Sequence, residues 1–575
     1  MYLNGQNSEE ATYRPLSSPV TVGRADRLSH FTAALVMVTS FVLLSFQGAW
    51  ASVNLPLHHW AYEAIERLTA LDIIDRAMVA AKPYSRKQAA KYVARAIERI
   101  RADEIRADGR EVLAEPLLER LMAEFRPELM DLGTIARKRS ETVKTVRYGA
   151  RLQTEVDAFS IGEGQTFRLR ENRGGEYYAN GVQNQTDVRG WLEVGDWAAF
   201  VVQPKFISNA NALSQGPTVG PFTSLNDQHV YLREASLKLT LWNVALEFGR
   251  GTQWWGPGYH GSLLLTDHAF PLDMIKLGSD ETFRLPWALS KLGDWKINSF
   301  LARLEGTQTF PHEKIFGLRI HYLPTTWLEL GFTRLTQFDG QGSGGSFPRT
   351  LVDCYKNPPN QEGGVANCNE QAMVDVRLKV PHIPYLVPFP AGLQIYGELG
   401  SEDKWSKLIS TRAAYLAGIY IPQLFSNDTT DLRIEFADTD YPRRYSPELA
   451  GVWYNNGTFT NGMRQYGFPL GHHMGTDGID LFVRSTRYMT DTFQIGSNLN
   501  YQERQRGLQT HERKYEAGTD MTWWFSRRGQ FSFGYTFQRI YNPGQISSVV
   551  PFVETFTPNV TANNHLLWTS LTIDF

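Results

Sequence analysis

The sequence predicts an all-β transmembrane antiparallel β-barrel preceded by a small α-helical domain. Three observations carry this: an export signal near the N-terminus, helical periodicity up to about residue 130, and period-two alternation from about residue 142 to the last residue. Composition narrows the class further. A net charge of -2 over 575 residues lacks the strongly basic signature of a nucleic-acid binder. A mean hydropathy of -0.33 argues against a polytopic helical membrane protein.

The export signal comes first. Arg24 and Arg27 precede the apolar run "FTAALVMVTSFVLLSFQGAWA", which ends in the small residues Ala49 and Ala51. A basic n-region, an apolar h-region and an A-x-A end predict a signal peptide over residues 1–51. Export makes a disulfide permissible, and the two cysteines, Cys354 and Cys368, lie in the turn-rich stretch "VDCYKNPPNQEGGVANCNE". They read as one disulfide pinning a loop.

Residues 52–130 carry the helical period. "HHWAYEAIERLTALDII" places Trp60, Ala64, Leu68 and Leu71 on one face, with Ile65 beside them. "KPYSRKQAAKYVARAIERI" offers Ser85 as N-cap and Gln88 three residues later, a capping-box spacing. "EPLLERLMAEF" supplies a third helix, and residues 131–141 a linker. The tryptophan-and-helix, proline, S-R and second-helix pattern resembles a surface-layer-homology repeat. That resemblance implies cell-wall binding, with Arg86 of the S-R pair and Trp60 as the contacts and peptidoglycan or an associated polymer as partner. Gln88 stands where that repeat usually has glutamate, and a helical cap with no ligand explains the same residues.

From residue 142 to 575 the period is two. In "VRYGARLQTEVDAF" the apolar Val146, Tyr148, Ala150, Leu152 and Val156 alternate with Arg147, Arg151, Gln153, Glu155 and Asp157. "IFGLRIHYL" sets Phe316, Leu318, Ile320 and Tyr322 against Gly317, Arg319 and His321. Mid-strand charges suit a hydrated lumen, and unequal connections suit a barrel across a membrane. Gly195-Asp196 and Gly293-Asp294 read as tight periplasmic hairpins. The stretches 160–185, 207–227, 339–371 and 437–475 read as outer loops. At about 24 residues per strand and half a loop, this length allows on the order of 16 to 20 strands. The last strand, "HLLWTSLTIDF", ends on Phe575 and resembles the C-terminal signal of bacterial outer-membrane barrels, which implies outer-membrane lipid and the barrel assembly machinery as partners.

The stretch "FGRGTQWWGPGYHGSLLLTDHAFP", residues 248–271, follows an apparent strand. It has neither the G-x-x-x-x-G-K-[ST] of a phosphate loop nor the G-x-S-x-G of a nucleophile elbow. What remains are turn glycines presenting Trp254, Trp255 and Tyr259. Flat aromatic faces stack on pyranose rings, and Arg250, Gln253, Asp267 and His268 are placed to bond hydroxyls or acidic sugars. Tryptophans packed in a plug, or in an interfacial belt, fit the same pattern.

This segment is similar to the most distinctive part of the capsule assembly Wzi family, where a glycine-arginine strand end runs into "QWWGPG" and "SLLL". "YGFPLGHHMGTDGID", from Tyr466, and "LQIYGELGSED", with Glu398 and Asp403, resemble two further family segments in the same order. The resemblance implies an outer-membrane barrel of about 18 strands with a periplasmic helical region. Its implied role is binding capsular or exopolysaccharide at the cell surface, with no covalent chemistry. Arg250, Gln253, Trp254, Trp255, Tyr259, Asp267, Glu398 and Asp403 are the expected polysaccharide contacts. The alternative is a porin-like diffusion channel anchored to peptidoglycan through the helical domain. No nucleophile or acid pair can be placed, so no catalytic residue and no cofactor are expected. His472 and His473 read as packed or lumen-facing histidines rather than metal ligands, on the ground that neighbours in a strand face opposite ways.

Overall fold

The computed structural model describes residues 51–575 apart from 105–109, 138–144, 166, 179, 209–222, 226–227, 357–367, 384, 404–410 and 550. The expected signal peptide therefore lies, but for Ala51, outside the described residues.

Among the described residues, four helices precede the barrel: α1 (Ala61–Ala70), α2 (Arg86–Arg101), α3 (Glu111–Glu124) and α4 (Arg126–Asp131). They bury Ile65, Leu68, Val93, Leu121 and Phe125 in a core of their own. α1 is shorter than its periodic stretch because Asp72 turns left-handed, at φ 59°, just after it. Ser85 caps α2, its Oγ accepting from the Gln88 N–H at 3.2 Å. The return half of the capping box goes elsewhere: Gln88 Oε1 accepts from the backbone N–H of Thr282 at 2.8 Å, tying α2 to the barrel.

Eighteen antiparallel strands close the barrel. In chain order they are β1 (Val146–Ser160), β2 (Gly181–Val194), β3 (Ala198–Ser208), β4 (Gln228–Leu241), β5 (Val244–Gly251) and β6 (Leu272–Ser279). Next come β7 (Asp294–Arg303), β8 (Lys314–Leu323), β9 (Leu328–Phe338), β10 (Cys368–Val380), β11 (Leu393–Glu402) and β12 (Ala413–Ile421). The last six are β13 (Leu432–Asp438), β14 (Ile479–Thr490), β15 (Phe493–Arg504), β16 (Glu512–Ser526), β17 (Gly529–Tyr541) and β18 (Thr561–Asp574). β1 pairs with β18, and Arg151 grips Asp574 across that seam at 2.6 and 2.9 Å.

The alternation read from sequence sorts the faces. Tyr148 is 78% exposed and Val156, Leu499 and Leu567 also point outward, whereas Arg319, His321 and Asp375 are buried inside. An apolar outer face on a closed barrel leaves no unpaired edge in lipid, so the protein is a transmembrane barrel of the outer membrane. Short turns, such as those after β2, β14 and β16, lie at the end that carries the helices, which is the periplasmic end by the asymmetry of such barrels. One expected hairpin is corrected: Gly293 closes a longer connection that includes a 3₁₀ turn over Trp287–Leu292. At the outer end, α5 (Arg349–Lys356) is joined to the start of β10 by the Cys354–Cys368 disulfide, with a Cα separation of 6.3 Å.

The lumen departs most from expectation. Instead of a hydrated channel wall it holds an apolar cluster that unites the helical domain (Ala70, Ala81), the inward segment (Trp255, Leu263, Leu265) and a later outer segment (Trp453, Tyr454) with wall residues Phe300 and Tyr396. The chain folds back into its own barrel after β5 and again after β13.

Candidate functional site

The stretch opening at Gly249 is built into the lumen by backbone pairing and by two wall carboxylates. Gly249 has φ 138°, and a Cβ there would fall 2.8 Å from Ser236 Cα, so the strand end admits only glycine. Trp254–Trp255 then pairs antiparallel with Ala81–Lys82 of the helical domain, and Gly256 N–H donates to Ala80 O at 2.8 Å. Glu398 on β11 accepts from Gly258 N–H at 3.0 Å, Leu263 N–H at 2.8 Å and Ser262 Oγ at 3.1 Å. Glu435 on β13 accepts from the N–H groups of Tyr259 at 2.7 Å and His260 at 2.9 Å and from the Tyr396 hydroxyl at 2.8 Å. Buried turns need such acceptors for their backbone donors.

This architecture fixes where the expected polysaccharide contacts lie. Trp254 is 8% exposed and Trp255 1%. The Trp254 indole donates to Gly258 O at 3.0 Å, and Trp255 packs on Phe300 with ring centroids 5.2 Å apart. Neither offers a free face to a sugar, because the segment turns inward rather than up to the mouth. Arg250 sits on the outer face, paired with Asp273 at 2.7 and 2.9 Å. The Tyr259 hydroxyl donates to Glu63 at 2.9 Å, and its ring lies under Arg433. Asp403 accepts from Arg412 at 2.8 Å. Asp267 holds His58 at 2.7 Å and Arg233 at 2.9 Å. Asp267 and Gln253 border a polar cavity of about 110 Å³ between the 54–58 segment and the wall, with Arg151, Arg173, Arg189 and Lys205 around it.

The expected cell-wall contacts are also committed internally. Arg86 donates to Glu124 at 2.6 Å and Glu128 at 2.7 Å and lies over Phe125. Burial opposes ionisation of Glu124, yet Arg86 and His59 hold its carboxyl down at about 2. Trp60 stacks with Arg120, whose other face covers Trp524 of β16. These residues fasten a cap; a polymer would have to displace those partners.

What the sequence reading missed lies on the outer rim. α6 (Tyr441–Tyr445), sequence YPRRY, stands where β13 gives way to the outer segment. Tyr445 is 62% exposed, and Tyr415, Tyr441 and Tyr445 form a chain of rings 6.0 and 6.3 Å apart. Arg443 is held by Asp440 at 2.6 and 2.7 Å, Arg506 reaches the same Asp440 at 2.6 Å, and Arg444 pairs with Asp438. Two tyrosines flanking an arginine pair within five residues were the available signal. His472 and His473 are corrected too: they lie in a loop rather than a strand, with ring centroids 4.5 Å apart, and Asp480 and Glu171 stand near them.

With this geometry in hand, comparison with known proteins is decisive on one point. The family model of the capsule assembly protein Wzi matches residues 150–548. The chain belongs to the capsule assembly Wzi family. An uncharacterised 55.8 kDa protein of the Klebsiella pneumoniae cps region is 30% identical over 255 residues; the match covers 44% of this chain and 48% of that protein, so the chain spans about half the length of this curated relative. The solved structure of Escherichia coli Wzi, described as an outer-membrane, carbohydrate-binding β-barrel involved in group 1 capsule assembly, superposes with a TM-score of 0.61 at 17% identity, covering 92% of this chain and 99% of that one. Acinetobacter baumannii OccAB1 is a looser likeness, with a TM-score of 0.43 at 9% identity over 76% of this chain and 98% of that one. In this Wzi-family chain, the segment that runs on from "QWWGPG" meets "PLGHHMG" inside the barrel, as the bond from Thr266 N–H to Leu470 O, 2.8 Å, records.

Proposed function

We propose that the protein is a non-enzymatic outer-membrane barrel that binds surface polysaccharide at its outer mouth and so helps attach or assemble capsule or exopolysaccharide there. The observation that carries this reading is the packed lumen: described residues of the cap and of the inward segments fill the barrel with one apolar cluster, which leaves the outer rim as the surface open to a polymer. The Tyr415–Tyr441–Tyr445 rings supply flat faces for pyranose rings, and the half-exposed Arg444 beside Asp438 supplies a cation for acidic sugars. The family relationship and the carbohydrate binding described for the Escherichia coli protein support the same class of partner. A packed lumen favours holding a polymer over diffusion through a channel. Insertion by the barrel assembly machinery belongs to this reading, through the exposed terminal Phe575. Peptidoglycan anchoring belongs to it only through surfaces of the cap other than Arg86 and Trp60.

The test is retention of purified acidic capsular polysaccharide by the detergent-solubilised protein. The double variant Arg444→Ala with Tyr445→Ala is expected to lose roughly tenfold in affinity, about 1.4 kcal/mol, with strand content unchanged. No retention by the unaltered protein, together with an intact surface coat in a deletion strain, would discard the proposal.

A further inference from the structure

Where the two inward segments meet the wall, the chain gathers His260, His472, His473, Asp480 and Glu171. His260 comes from the segment after β5, His472 and His473 from the segment after β13, Asp480 from the start of β14, and Glu171 from the loop between β1 and β2. His473 Nε2 lies 3.3 Å from His260 Nδ1, and His260 Nδ1 lies 2.9 Å from Asp480 Oδ1. One ligand atom from each of His472, His473 and Asp480 falls within 4.8 Å of the others, and the same holds for Glu171, His260 and His473.

The hydrogen bonds of this cluster leave His260 Nδ1 facing both His473 Nε2 and Asp480 Oδ1. Asn500 and Gln502 amides donate to Asp480 Oδ2 at 2.9 and 3.1 Å, which fixes the carboxylate and turns Oδ1 to His260. Gln502 also donates to His473 Nδ1 at 2.9 Å, so the His473 proton belongs on Nε2, facing His260 Nδ1. With Asp480 ionised, His260 Nδ1 carries its own proton to donate to it. Two N–H groups then point at each other across 3.3 Å; taking the proton off His260 Nδ1 instead sets a lone pair against a carboxylate oxygen. A second anomaly sits beside this one: His472 Nε2 is buried without a hydrogen-bond partner.

We propose that the cluster binds a divalent transition-metal ion of the zinc class, held by His260 Nδ1, His473 Nε2 and Asp480 Oδ1, with His472 as the fourth ligand. A cation removes the conflict, because the facing nitrogens both become lone-pair donors. Nitrogens about 2.1 Å from a tetrahedral zinc lie roughly 3.4 Å apart, close to the separation these two already have. Glu171 stands behind the two rings, its Oε2 3.7 Å from His260 Nε2 and its Oε1 3.7 Å from His473 Nδ1. Binding moves the His473 proton to Nδ1, where it faces the Gln502 amide, so that amide gives up His473 and turns its N–H to Asp480 Oδ2 alone. Such a carboxylate behind two ligating imidazoles is the usual support of a zinc site. Lys514 pairs with Glu171 and balances its charge. Imidazole ligands select zinc-class ions over calcium or magnesium. The ion would staple both inward segments to β14.

The experiment uses the full chain in detergent, stripped with chelator, loaded with micromolar zinc chloride and freed of excess by gel filtration. Elemental analysis should find roughly one zinc per folded chain, and cobalt chloride should give the ligand-field bands of a tetrahedral site. His473→Gln and Asp480→Asn should each lower zinc retention at least tenfold, while His565→Gln, on the outer face of β18, should leave it unchanged. Far-ultraviolet circular dichroism verifies that each variant keeps its strands; should one fail to fold, the cobalt spectrum of the unaltered chain decides alone. Negligible zinc in the unaltered chain, or full retention in folded His473→Gln and Asp480→Asn, would overturn the site.

Discussion

Trp255 shows how far a residue's type can be read without its direction. The glycines around it announced sharp turns, and the sequence pattern placed a flat aromatic there; both hold. Its burial was illegible because alternation reports only which face of a strand meets lipid, and an inward irregular segment has no period to report. The ring lies against Phe300 in the lumen cluster, and its backbone pairs with Ala81. Trp255→Ala removes a fully enclosed side chain and leaves an apolar void beside Phe300, so it should cost about 3–5 kcal/mol of stability. Denaturant unfolding in detergent measures that loss. Polysaccharide retention per folded molecule should stay unchanged, since the ring is no part of the rim.

At the scale of elements, α1 is a wedge in the periplasmic mouth. Arg67 donates to Pro422 O at 3.2 Å and Thr429 O at 2.6 Å, and Glu66 pairs with Arg377 at 2.8 Å and Arg433 at 3.1 Å on the wall. Burial alone would push the Glu66 carboxyl up, but Arg433 and Arg377 outweigh it and hold it at about 2. A depressed carboxyl adds stability that is present above its unfolded value, about 4.3, and is lost as pH falls through the folded value. The cap should therefore stay docked at neutral pH and loosen as pH falls from about 4.3 toward 2. Glu66→Gln should mimic this at pH 7, costing about 3–5 kcal/mol of docking because two buried guanidinium groups lose their counter-charge. Protease cleavage of the 52–131 region, with the barrel intact, is the measurement. The sequence disclosed α1 by its apolar face and α2 by Ser85. It could not disclose that Gln88 would bond Thr282, or that Gly293 would end a longer connection, because those depend on how cap and barrel meet.

At the scale of the whole molecule, the charged inner wall reads differently once its partners are known. Mid-strand arginines and carboxylates suggested water. Instead Arg319 joins Asp375 at 2.7 and 3.0 Å and donates to Ala80 O at 3.1 Å, while Glu329 accepts from Ala80 N–H at 3.1 Å. The wall's charges dock the cap, and two wall carboxylates, Glu398 and Glu435, hold the segment after β5. Polar alternation is identical for a wall facing water and a wall facing backbone, so composition could not separate a channel from a plug. Conductance can. In planar bilayers at neutral pH the full chain should give no steady porin-scale current. Glu66→Gln, which frees the cap, should add only brief openings, because Glu398 and Glu435 still hold Trp254 to Leu263 across the lumen and the apolar cluster around Trp453 remains. Stable unit steps from the unaltered chain would mean that the inward segments leave a through-path, and the diffusion-channel reading would then displace polymer holding.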